Sequence, residues 1–327
     1  MHLVKLCQTL NNFYFGLPLD STGKIYKNIM TNLPPRFGKT YTLVHWASWI
    51  LGQNQEEKII TGSYNDVTAE EFSRFVRDGI TRKKIDPEDI IFSDVFPGVR
   101  IKQGNAAVQK WALEGQHFNY LGVGVHGSVT SKGGTIHILD DLVKGAEEAF
   151  NDLYLEKVWL WYTSTFLSRI EPGKRLLRVL NMTRWSKGDP AGRIIEANPD
   201  EWYQLKMEAM NTETGEMLCE DFLNREKYDE IRATMDDEIF MANYHQEPID
   251  HKGLMYPNLQ TYETLPRDEH GNLIFDWIGA YIDTADEGKD FLACGIYLSY
   301  LQKAYILDVY YTCLLYTSDA ADEEDSV

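Results

Sequence analysis

Residues 32–43 read NLPPRFGKTYTL. Gly38-Lys39-Thr40 matches the end of the phosphate-loop pattern G-x-x-x-x-G-K-[ST], in which backbone N–H groups close on phosphate, the lysine reaches the β and γ oxygens and the hydroxyl meets Mg2+. The pattern's first glycine is missing, and Pro34 and Pro35 stand where the chain is usually most pliable. On the tripeptide alone, a surface turn that happens to spell GKT explains as much. The flanks decide. KIYKNIMTNLPP (24–35) reads as a buried strand entering a turn, and YTLVHWASWILG (41–52) sets Leu43, Ala47 and Ile50 along one helix face, with Val44 and Leu51 beside them and Gly52 at the end. Strand, turn, GKT and helix is the order a phosphate loop needs.

The same alternation continues outward. KIITGSYN (58–65) is a second strand, and TAEE (68–71) forms a capping box ahead of Phe72, Val76 and Ile80 at four-residue spacing, which predicts a helix. TIHILDD (135–141) is a third strand, Glu147 to Tyr162 is helical in character, and RLLRVLNMT (175–183) is a fourth strand. Strands alternating with helices predict an α/β fold with a mainly parallel central sheet flanked by helices on both faces. From about 186 to 245 the chain turns polar and helical, which predicts a helical subdomain closing a first domain of residues 1–245. Residues 246–275, rich in proline and turn formers, read as a linker. Residues 277–312 alternate like successive antiparallel strands and open a second domain, 276–312.

The chain has 327 residues, of which 43% are hydrophobic and 13% aromatic, a composition that excludes a disordered protein. No run of about 18 apolar residues exists, so no membrane partner is expected. Cys7, Cys219, Cys294 and Cys313 are scattered, which reads as reduced thiols rather than a disulfide or zinc framework. The net charge is −18, from 32 basic and 50 acidic residues. That speaks against a protein that coats nucleic acid, though not against a local basic groove. The closing CLLYTSDAADEEDSV resembles an in-frame translation of a sequencing adapter, so the natural sequence is expected to stop near Thr312.

In IHILDD, a hydrophobic run ending in acid is what positions a metal-binding aspartate beside a phosphate loop. Asp140 would hold Mg2+ through water, and Asp141 would orient or deprotonate the attacking water. A strand followed by an Asp-rich turn is the plain alternative.

PPRFGKT, SYNDVTAEEFSRFVRD, GVHGSVTSKGGTIHILDDLVKGAEEA, LNMTRWSKGDPAGRI and YHQEPI…GLMY occur in series over roughly residues 27–312. Together they resemble the large terminase subunit of tailed bacteriophages, the motor that packages DNA into proheads. In that family the loop commonly reads PPR-x-GK-[ST], so the missing glycine is a family trait. The resemblance implies a P-loop ATPase whose nucleotide contacts come from Pro35, Arg36, Phe37, Gly38, Lys39, Thr40 and Asp140, with Mg2+ on Thr40 and Asp140. It implies catalytic roles for Asp141, Arg36 and Thr183, the last falling with Asn181 in the family's coupling segment, ahead of Arg184-Trp185. A charge-stabilising arginine is expected, either in cis or from a neighbouring subunit, with Arg36, Arg169 and Lys132 as the candidates in this chain. Asp140-Asp141 stands where many such ATPases have Asp-Glu; Glu147 and Glu148 lie just beyond and could substitute for the base, although a solvated helix face is the plainer reading of them.

YIDTADEGKDF (281–291) resembles the first strand of an RNase H-like nuclease domain, which gathers acids around two divalent metal ions. Asp283 is the expected first metal ligand; Asp286 and Asp290 fit a polar turn, and Asp308 is strand-borne. The remaining acids are expected beyond residue 312, so the chain is expected to lack nuclease activity. The N-terminal segment, where the family grips adenine, reads as short. The resemblance further implies double-stranded viral DNA, a portal protein and a small terminase subunit as partners, a homo-oligomeric ring, and work in the host cytoplasm on the prohead. A helicase-like translocase without nuclease and a nucleotide-gated assembly protein are the rival readings.

Overall fold

The structure, a computed structural model, describes residues 2–125, 127, 132–249, 262–283, 292–301 and 303–312. The chain divides into two compact units, Met1–Lys252 and Gly253–Val327.

The first unit carries an eight-stranded sheet. In chain order its elements are α1 (His2–Phe15), β1 (Asn28–Asn32), α2 (Lys39–Gln53), β2 (Ile59–Ser63), α3 (Asp66–Thr81), α4 (Phe92–Val95), β3 (Ile101–Ala106), β4 (Lys110–Leu113), β5 (Tyr120–Gly124), β6 (Ile136–Asp140), α5 (Ala146–Ala149), α6 (Asp152–Leu160) with a π-helical turn Trp161–Phe166, β7 (Leu177–Asn181), α7 (Pro190–Ala197), β8 (Trp202–Lys206), α8 (Arg225–Thr234) and α9 (Asp237–His245). The strand order is β3-β4-β5-β2-β6-β7-β1-β8. From β5 to β8 all neighbours are parallel, and β3 and β4 add an antiparallel margin. The fold is therefore α/β with a mainly parallel sheet.

The strands are apolar on both faces because both are covered. Ile29, Ile59, Ile138 and Val179 join one core with α1, α2 and α3, while their neighbours Met30, Ile60, Leu139 and Leu180 join another with α6, the π-helical turn and α7. Helix α2 contributes Leu43, Ala47, Ile50 and Leu51, all fully buried, and each of its larger side chains stabilises the fold by about 1.5–3 kcal/mol.

Several local readings need correction. Helix α2 runs past Gly52 to Asn54 as its C-cap. Gly52 is there for space: a Cβ would meet the Phe96 ring at 2.4 Å. Helix α3 is capped by Asn65, whose side chain accepts from Thr68 N–H at 2.8 Å, so Thr68 lies inside the helix rather than at its cap. Glu147 to Tyr162 is not one helix but α5, a break capped by Asn151, then α6. The stretch expected to be helical, 186–245, supplies β8, an edge strand beside β1. Helix α1 has no counterpart among the expected elements; it buries Leu6, Leu10 and Phe13.

The second unit contains an antiparallel sheet of β9 (Trp277–Asp283), β10 (Leu292–Tyr300) and β11 (Lys303–Thr312), with β10 central. Consecutive residues such as Tyr281 and Ile282, at 70% and 56% exposure, leave apolar surface on both sheet faces. Residues 313–327, the suspected non-native tail, lie outside the described residues.

Candidate active site

In a parallel sheet the carboxyl ends of all strands reach one edge, so the loops leaving β1, β2, β6 and β7 converge there. They border a cleft of about 550 Å³ lined by Pro35, Arg36, Gly38, Lys39, Thr40, Tyr41, Tyr64, Asp141, Val143, Lys144, Thr183, Trp185 and Asn243. Its floor includes the N-terminus of α2. Gly38, at φ 79 in the left-handed region, is the N-cap and offers no side chain to the first-turn N–H groups. Those N–H groups and the helix dipole favour an anion.

The loop is held from behind. The Phe37 carbonyl accepts from His2 Nε2 at 3.2 Å, and the Phe37 ring packs on His2 and Phe222 at centroid distances of 5.5 and 5.9 Å. The Phe37 side chain therefore faces away from the cleft and anchors the loop. Arg36, in the left-handed region at φ 66, is exposed and borders the cleft.

Strand β7 lies between β1 and β6, and the register places Thr31, Asn181 and Asp140 in one row. Thr31 Oγ1 donates to Asn181 Oδ1 at 2.7 Å, and Asn181 Nδ2 donates to Asp140 Oδ1 at 2.5 Å. Thr40 Oγ1 donates to the same Asp140 oxygen at 3.2 Å. Asp140, 2% exposed, sits beneath the cleft and is reached through Thr40. Burial, and then the neighbouring Asp141 carboxylate, push its pKa up, while Asn181, Lys39 and Thr40 oppose the shift.

Residues just past the ends of β6 and β7 complete the constellation with Lys39. Lys39 Nζ donates to Thr183 Oγ1 and lies 3.6 Å from Asp141 Oδ2. Thr183 N–H donates to Asp141 Oδ1 at 3.2 Å. Asp141 takes φ 43, a left-handed backbone rare for a non-glycine residue; its own N–H and C=O are fixed by the Asn181 carbonyl at 2.9 Å and the Tyr64 N–H at 3.2 Å. That conformation turns its half-exposed carboxylate toward Lys39. Strained backbone of this kind persists only where surrounding contacts hold it.

Thr40 and Asp140 offer hard oxygen donors 3.2 Å apart beside the helix N-terminus. This suits Mg2+, which commonly takes one or two protein oxygens and fills the rest of its octahedron with phosphate oxygens and water. Of the expected cations, Arg36 alone borders the cleft. Lys132 Nζ lies over the Phe118 ring at 5.6 Å, and neither it nor Arg169 lines the cleft. Arg184 is 8% exposed, and its Nε pairs with Asp189 Oδ2 at 3.0 Å, a structural role. Glu148 accepts from Lys144 N–H at 2.8 Å, and neither it nor Glu147 lines the cleft. Tyr64, Lys144 and Asn243 join the site without having been expected there. Tyr64 is readable as the residue after a strand's carboxyl end; Asn243 comes from α9, far along the chain from the loops it meets, with no sequence signal.

In the second unit, Asp283 is in register with Ala293, and Asp308 with Ile296, three residues farther along β10. The sheet thus does not bring these two acids together. Asp286 and Asp290 lie outside the described residues. Among the described residues no cluster of three His, Cys, Asp or Glu side chains could hold a metal, and no helix is long and apolar enough to cross a membrane.

No protein-family model and no curated protein matches the chain. Solved structures that it is similar to include the large terminase of HK97 bacteriophage, at 14% identity over 92% of this chain and 62% of that one, TM-score 0.47. Another is the large terminase of a thermophilic bacteriophage in complex with ATP-gamma-S, at 10% identity over 94% and 67%, TM-score 0.45. The Phi-28 gp11 DNA packaging motor is similar at 10% identity over 87% and 79%, TM-score 0.37. The chain spans 62% of the length of the HK97 protein.

Proposed function

We propose that the first unit hydrolyses ATP with Mg2+ and that the chain is part of a DNA-packaging motor of the large-terminase kind. One observation carries the ATPase reading: a lysine and a threonine at the start of α2 meet Asp140, Asp141 and Thr183 from two other strand ends through direct polar contacts. The series of motifs from PPRFGKT to YHQEPI supports the narrower motor assignment.

In this reading the triphosphate lies over the α2 N-terminus, where Lys39 exchanges its Thr183 contact for phosphate oxygens. Thr40 and Asp140 would hold Mg2+, which when bound neutralises charge developing on the transferred phosphoryl group. Asp141, fixed by the Thr183 N–H, accepts a hydrogen bond from the attacking water and orients it. Arg36 is placed to contact phosphate from the open side. Thr183 meets both Lys39 and Asp141, so loss of the γ-phosphate would be felt at the end of β7.

The wider assignment divides the chain into a motor domain at 1–245, whose last part from about 186 adds β8 to the sheet along with α7, α8 and α9, a linker at 246–275, and the opening strands of an RNase H-like nuclease at 276–312, with Asp283 as a metal ligand and the domain's two metal ions needing further acids. Its partners would be double-stranded viral DNA, a portal protein and a small subunit, in a ring acting on the prohead in the host cytoplasm. Steady-state ATP turnover of the full chain, wild type against Lys39→Ala, tests the core of this reading. Turnover should fall at least 100-fold; turnover that survives the substitution would remove the phosphate-loop assignment, and nucleotide binding without turnover would favour a nucleotide-gated assembly protein.

A further inference from the structure

Helix α9 ends at Gln246, at φ 58 and ψ 31. This left-handed conformation is the one glycine fills at many helix ends, because a side chain there is strained. The glutamine is 4% exposed, and both the oxygen and the nitrogen of its amide are engaged. Its Oε1 accepts from Arg184 N–H at 3.1 Å, and its Nε2 donates to the Asn243 carbonyl. One turn earlier the Asn243 side chain, also 4% exposed, donates to the Arg184 carbonyl at 3.2 Å. The last turn of α9 thus grips both backbone polar groups of Arg184. That residue directly follows Thr183, whose hydroxyl meets Lys39 and whose N–H meets Asp141. Glycine would relax the helix end but has no reach to Arg184.

We propose that Gln246 and Asn243 are positioning residues of the nucleotide site. They fix the segment leaving β7 so that Thr183 is presented to Lys39 and Asp141, and the strain at Gln246 is tolerated for that contact. Asn243 also borders the cleft, so α9 closes one side of the site it aligns. The inference rests on the ATP-hydrolysis reading.

The test is Gln246→Gly in the full chain, with Lys39→Ala alongside. Gln246→Gly relieves the left-handed strain but leaves the buried Arg184 N–H unpaired, so it should stay folded with a lower thermal midpoint, leave the Kd for ATP within threefold, and lower kcat at least tenfold. Hydrogen exchange at the Arg184 amide should speed up at least tenfold. A helix cap without a positioning role predicts normal kcat. Unchanged kcat in a folded Gln246→Gly protein, or unchanged exchange at Arg184, would overturn the inference while Lys39→Ala remains inactive. Wild-type turnover that is absent, or insensitive to Lys39→Ala, would instead sink the ATPase reading, and the exchange readout would still judge the contact. If Gln246→Gly does not fold, Gln246→Met, similar in shape but without an acceptor for the Arg184 N–H, reads the same kcat and exchange.

Discussion

Acidification should weaken the first unit, and His137 carries the largest histidine share. His137 sits on β6, three residues before Asp140, fully buried with its ring 4.7 Å from that of Phe166. Its Nε2 faces the Arg169 carbonyl at 2.8 Å. A carbonyl only accepts, so Nε2 carries the proton, and Nδ1 is buried with no partner. Charging the ring would put a second N–H into that unpartnered position, and burial accordingly lowers the pKa from 6.5 to about 4. The neutral ring is therefore the stabilising form: its contribution is complete above the unfolded value of 6.5 and is lost as pH falls through about 4. Linkage then gives a loss of about 2 kcal/mol between pH 7 and pH 5. Asp140 acts in the opposite sense, because a buried carboxylate with a raised pKa costs less as it protonates. The comparison must therefore be with His137→Gln, whose amide can still donate to the Arg169 carbonyl and does not titrate. Urea unfolding followed by circular dichroism at pH 7, 6 and 5 should show the wild type losing about 2 kcal/mol more than the variant over that range. Parallel losses, differing by less than about 0.5 kcal/mol, would refute the argument from the orphaned Nδ1.

Thr183→Val, close to isosteric, removes the hydroxyl from Lys39 and should lower kcat about 10- to 100-fold with little change in the unfolding midpoint, read by ATP turnover and calorimetry. Asp189→Ala removes a fully buried carboxylate that pairs with Arg184 and caps α7 through Gly192 N–H at 2.8 Å; it should destabilise by about 3–5 kcal/mol in urea unfolding. Gly124→Ala would put a Cβ 2.3 Å from the Asp66 backbone N; a loss of about 1–3 kcal/mol is expected, and a neutral result would mean that the start of α3 is free to shift.

Much of the fold was legible because its elements obey simple periods. Leu43, Ala47 and Ile50 mark α2, and IHIL marks a strand buried on both faces. Edge and margin were not legible. Strand β8 buries only Trp202 and Leu205 deeply and shows Gln204 and Lys206 to water, so its pattern is that of any polar stretch. The cap of α3 was misplaced because TAEE satisfies a capping-box pattern, whereas Asn65, with Asp66 next to it, reaches the same Thr68 N–H. At the site, Lys39, Thr40 and the two aspartates were readable from local spacing. Asn243 was not, and Gln246 showed only as a member of YHQEPI without its role: a hydrogen bond to the backbone of a residue 59 or 62 positions away leaves no pattern in one sequence.

The polar row across β1, β7 and β6 also bears on how the chain folds. Three segments far apart in sequence must pair in parallel, a slow, non-local search in which similar apolar strands can slip against one another. A slip of one residue at β7 would set Leu180 or Met182 opposite Asp140 and Thr31 in place of Asn181. Each orphaned polar group would then cost about 1–3 kcal/mol, more for the carboxylate. Misregistered sheets are thereby penalised where leucine, isoleucine and valine cannot tell alignments apart. The residues that gather the phosphate-site chemistry also proofread the sheet that presents it.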